Sequence, residues 1–136
     1  MIAVEVQHYL GRARDFLKGM DLLQNDLAEY RYSSALLGIH GAISYCDALR
    51  IGLGSKGLSS DDHQSAAREL RLLLASRKFE NPQGVGRLEK LLSKKSMIAY
   101  VADAAGENEI KQIVVDAKRF EAWAEAAGKG LRIEGW

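Results

Sequence analysis

The chain has 136 residues, 47% of them hydrophobic and 27% charged, with a formal charge of +1, which suits one domain with a sizeable core. That balance and a single proline argue against disorder, and no apolar run approaches the ~18 residues of a membrane span. The lone cysteine, Cys46, excludes an internal disulfide and suits a reducing compartment; Glu5 and His8 interrupt any signal-peptide core, so a cytoplasmic globular protein is expected.

Strand signals are nearly absent, and helical periodicity covers most of the chain. A first helix over about residues 3–23 carries Val6, Leu10, Ala13, Leu17 and Met20 on one face. Asn25 or Asp26 can cap a second helix through "LAEYRYSSALLGIHGAISYCDALRIGL". Its apolar face is Tyr32, Ala35, Leu36, Ile39, Ala42, Ile43, Cys46, Leu49 and Leu53. Gly38 and Gly41 cost roughly 1 kcal/mol each relative to Ala, and close approach of a neighbouring helix at Gly38 and Ala42 is the expected compensation. "GLGSKGLSS" breaks the chain. Ser59 or Ser60 then caps a third helix with Ala66, Ala67, Leu70, Leu73 and Leu74 as its core stripe.

Pro82 in "NPQG" separates this from a fourth helix, whose apolar face is Leu88, Leu91, Leu92, Ile98, Ala99 and Ala102. Lys95 falls at the middle of that face. A buried ammonium without a partner costs several kcal/mol, so Lys95 demands a carboxylate, a carbonyl or a phosphate, unless the helix is turned by about 100° and Lys95 meets solvent. "AAGENE" leads into a fifth helix with Ile110, Ile113, Val114, Ala117, Phe120 and Ala124 inward; "GKG" at 128–130 ends it, and 131–136 form a tail. The expected fold is all-α, an antiparallel up-and-down four-helix bundle with an additional short helix, in a single domain over residues 1–130.

Residues 63–95 hold eight Arg or Lys against three Glu, a balance of +5, whereas 1–62 and 96–136 each come to −2. Such a basic middle suits either a phosphate-facing surface or a solvated face whose charges pair across helices. Metal chemistry lacks its ligands: Glu5 and His8 have Glu-x-x-His spacing, but no second copy exists. Neither a nucleophile elbow nor a strand-borne phosphate loop appears; "GLGSKG" at 52–57 follows a helix. His63 opens the third helix, as part of its capping or as a polar group facing the second. His40, beside the seam of the second helix, is expected as a hydrogen-bonded core histidine.

The stretch "SSALLGIHGAISYCDALRIGLGSKGLSSDDHQSAARELRLL" at 33–73 has a small-residue helix ending in "DAL", a glycine loop and "DH" opening the next helix. With "LLSKKSMIAY" at 91–100 and "AKRFEAW" at 117–123, it resembles the HEPN superfamily of small helical bundles from prokaryotic toxin–antitoxin and defence proteins, over about residues 5–125. Many members are metal-independent ribonucleases with an Arg-x4–6-His motif in the fourth helix. The resemblance places Lys95 at the arginine and Tyr100 at the histidine, with Asp47 as the polar residue facing them. Lysine keeps the charge but loses the bidentate fork, and tyrosine, with a pKa of about 10, is a poor proton shuttle at neutral pH. Residues five apart differ by about 140° around a helix, so a site shared by Lys95 and Tyr100 needs a groove, expected at a dimer interface.

The reading that follows is a non-catalytic nucleotide- or RNA-binding homodimer. Its candidate binding residues are Lys94, Lys95, Tyr100, His63 and Arg87, and a nucleotidyltransferase is its implied partner. The alternatives are a ribonuclease toxin with a variant motif of Lys95, Tyr100 and Asp47, or a structural module binding an acidic partner. No metal, cofactor or membrane is expected.

Overall fold

The three- and four-residue spacing of apolar side chains becomes five α-helices among the residues that the computed structural model describes: 1–56, 58, 62–100 and 106–136, with only the backbone of Tyr100. They are α1 (Ile2–Leu23), α2 (Leu27–Gly52), α3 (His63–Ser76), α4 (Gly84–Tyr100) and α5 (Glu107–Gly130). No described residue forms a strand, and no helix among the described residues is long and apolar enough to cross a membrane. The fold is an all-α helical bundle of four long helices and the shorter α3.

Side-chain pairings fix the helix directions. Gly38 and Gly41 of α2 meet Met20 and Leu17 of α1, so these two helices run antiparallel. Arg14 and Asp21 of α1 pair with Glu125 and Lys118 of α5, again antiparallel. Lys90 and Lys94 of α4 pair with Asp116 and Glu109 of α5 in the same sense. α1, α2, α4 and α5 therefore alternate up and down, and α2 touches all four other helices.

The expected close approach at Gly38 is present. A Cβ there would lie 2.7 Å from Met20 Sδ and 3.0 Å from Ala117 Cβ, so the residue lets both α1 and α5 approach α2. The core stripes of α1, α2 and α5 are buried largely as expected.

Three expectations change. Asp62, not Ser59 or Ser60, caps α3: its Oδ1 accepts from Gln64 N at 2.9 Å; Ser59 and Ser60 lie outside the described residues. Ala99 is exposed despite its place on the apolar face of α4. α3 meets α4 at Leu88, Glu89 and Leu92, ahead of Ala99 along the helix; Ala102 lies outside the described residues. Finally, α5 runs through "GKG", and the chain reverses at Arg132, with φ of 53° and Ile133 N donating to Gly128 O at 3.1 Å.

Residues 131–136 pack back on the bundle. Ile133 covers Gly52, and the Trp136 indole lies over Gly128. The indole Nε1 donates to Glu125 Oε1 at 3.1 Å. The same carboxylate accepts from Arg14 (2.8 and 2.9 Å) and from the Tyr45 hydroxyl (2.7 Å). One acid thus ties α1, α2, α5 and the tail together.

Candidate functional site

Most of α2 from Ser34 to Ile51 is buried, yet Tyr32, Leu36, His40, Ile43 and Asp47 stay half-exposed. Steps of three and four put them on one face. This stripe is the floor of a groove between α1 and α4. On the α1 side the Phe16 ring stands 6.1 Å from that of His40, and the charge of Arg12 reaches Asp47. On the α4 side, Leu88 and Leu92 meet Ile43, Cys46 and Asp47, and His63 at the start of α3 closes that end. Beyond Leu92, the next turn of α4 brings Lys95 to the level of His40.

Lys95 is half-buried at the centre of the inward face of α4, and among the described residues it makes no hydrogen bond or ion pair. The expected pairing with Asp47 is not formed. Asp47 Oδ1 accepts instead from Arg50 at 3.1 Å, while Arg50 Nε donates to Glu69 at 2.8 Å. The helix register explains the difference. Asp47 is level with Leu88, seven residues before Lys95, and seven residues of helix span about 10 Å. Burial pushes the Asp47 carboxyl above its usual range, and the adjacent Arg50 guanidinium only partly restores it.

His40 is likewise not the hydrogen-bonded core histidine expected. It is half-buried, packs on Phe16, and among the described residues has no hydrogen bond. Burial lowers its pKa, and the charges of Lys95 and His63 lower it further. In the sequence His40 and Asp47 are seven residues apart, which puts them on one face of a helix buried elsewhere.

The remaining candidates divide. His63 lines the crevice with Asp47, so it faces α2 while Asp62 does the capping. Lys94 is engaged on the other side of α4, where its ammonium donates to Glu109 at 3.0 Å. Arg87, seven residues earlier, shares that side of the helix, away from the groove. The Tyr100 side chain lies outside the described residues.

The basic block is partly neutralised. Lys90 pairs with the buried Asp116 at 3.2 Å, Arg68 with Asp62 at 3.8 Å, and Arg71 with Glu89. Arg77, Lys78 and Arg87, like Lys95, have no ion pair among the described residues, but of these four cations Lys95 is the one on the inward face of α4. His8 sits beside Arg12, 3.0 Å away, and no group of three His, Cys, Asp or Glu able to hold a metal occurs among the described residues.

The groove can attract an anion. It gathers one ammonium and two imidazoles, its carboxylate is already bound to an arginine, and its walls are apolar. The crevice beneath Asp47 and His63 is narrower than a water molecule and has no room for a ligand. No protein-family model matches the chain, and no curated protein or solved structure does so either.

Proposed function

We propose that this chain is a HEPN-like helical bundle that binds RNA through its phosphates in the groove between α1, α2 and α4, without cleaving it. The observation that carries the reading is Lys95. A half-buried ammonium at the middle of a core-facing stripe, with no anion among the described residues paired to it, suits a site that receives its counter-charge from a ligand. Lys90 and Lys94 are paired with acids of α5, so Lys95 is the cation of α4 left to face the groove.

An open groove suits a nucleic-acid backbone better than a free nucleotide, which is usually held in an enclosed pocket of several hundred Å³. Phe16, on the rim, offers a ring face of the kind on which bases stack. Binding is assigned rather than cleavage because tyrosine occupies the place of the proton-moving histidine and has a pKa of about 10. All the groups named come from one chain, so the proposal does not require the homodimer or the nucleotidyltransferase that the resemblance implies.

Fluorescence anisotropy with a mixed-sequence single-stranded RNA oligomer tests it. Affinity is expected to fall as NaCl is raised. Lys95→Ala is expected to weaken binding at least tenfold, whereas Lys94→Ala changes it less than about twofold, because that ammonium is already paired. Equal losses for the two variants, or binding indifferent to salt, would overturn the proposal.

A further inference from the structure

We propose that His40 is a ligand-binding residue of this groove, and that an anion seated on Lys95 brings one proton with it onto the His40 ring. The inference rests on the groove being a phosphate site and adds a second ligand group and a pH dependence to it.

The neighbours of His40 carry the argument. α1 presents the uncharged Phe16 ring, 6.1 Å away and tilted by 57°. α4 presents Lys95 and α3 presents His63, and the interaction with each lowers the His40 pKa. Along α2 itself, Asp47 lies two turns away and is bonded to Arg50. No carboxylate among the described residues acts on the ring. In the free protein His40 therefore has neighbours that disfavour its protonation, and it is half-buried on the floor where a ligand of Lys95 would lie.

A phosphate on Lys95 reverses the local charge. The unfavourable neighbour of an imidazolium becomes a partner for it, and the protonated ring can donate a charge-assisted hydrogen bond to a phosphate oxygen. The pKa of His40 is then higher in the complex than in the free protein. Affinity rises as pH falls between the two values, by at most about tenfold per pH unit for one proton.

Calorimetric titration with the same RNA oligomer at pH 6, 7 and 8, at fixed ionic strength and in buffers of different ionisation enthalpy, reads both quantities. For the wild-type protein the expected result is a several-fold gain in affinity per unit of falling pH, with proton uptake on binding. His40→Gln is expected to remove the slope, and His63→Gln to keep it.

NMR titration of the His40 ring in the unmutated protein supplies a readout that does not depend on how the variants fold. Its pKa should rise when RNA is added. A slope that survives His40→Gln, or a ring pKa unmoved by RNA, would overturn the proposal. RNA binding that depends on Lys95 but not on pH would remove this inference and leave the phosphate site standing. Absence of RNA binding at every pH would remove both.

Discussion

Replacing Glu125 with alanine is expected to cost about 3 kcal/mol of stability at neutral pH, measured by urea unfolding. Its carboxylate accepts from Arg14, the Tyr45 hydroxyl and the Trp136 indole, three residues on three separate segments. Tyr45 is fully buried, so its hydroxyl loses a partner that water cannot easily replace. Arg14 is 45% exposed, which limits its own share of the loss.

The pH dependence has a definite sign. Hydrogen bonding from Arg14, followed by that from Tyr45, holds the Glu125 carboxyl below its ordinary pKa. Its contribution is therefore fully present above the unfolded value of about 4.3 and is lost as pH falls through the lower folded value. The stability gap between the wild-type protein and Glu125→Ala should be constant from pH 6 to 8 and narrow below about pH 4. A gap that stays wide at pH 3 would show that packing, not the charge, accounts for the loss.

The second large effect lies at the start of α4. A Cβ on Gly84 would fall 2.0 Å from Trp123 Cδ2 and 2.4 Å from both Cε2 and Cε3. The indole is not free to move aside. Its Nε1 donates to Asn81 O at 2.7 Å, and its ring is packed against Phe120 and Phe79. Overpacking of this kind typically costs 1–3 kcal/mol, and here about 2 kcal/mol is expected for Gly84→Ala, with a changed Trp fluorescence spectrum.

Gly86, two residues on, has nothing within 4 Å of its Cβ position. There the same substitution should stabilise α4 by up to about 1 kcal/mol, through helix propensity alone. Opposite signs at 84 and 86 in thermal unfolding would confirm the packing; equal effects would contradict it.

The helices were legible because each buries an apolar stripe at regular spacing, a property local to the chain. Gly38 was legible for the same reason: a glycine within an apolar helix signals close approach, and Met20 and Ala117 supply it. Pairings across long sequence separations were not. Tyr45 and Glu125 are 80 residues apart, and nothing around either residue announces the other.

The charge block illustrates this most clearly. Lys94 and Lys95 are adjacent and chemically alike, yet a rotation of 100° sends one to Glu109 and the other to the groove. The sequence pattern placed Lys95 on the inward face correctly. It chose the wrong mate, because the antiparallel register that puts Asp47 level with Leu88 is set by packing of whole helices. His40 was undervalued for a related reason. Its neighbours Phe16, His63 and Lys95 come from three other helices.

The most direct test of Lys95 as the anion-binding group is NMR of the protein with ¹³C-dimethylated lysines, which keep their charge, titrated with the single-stranded RNA oligomer. The expected result is a shift of the Lys95 methyl resonance that saturates with RNA and is reversed by salt, while the Lys94 resonance stays in place. An unmoved Lys95 signal in RNA-bound protein, or a Lys94 signal that moves instead, would contradict the assignment.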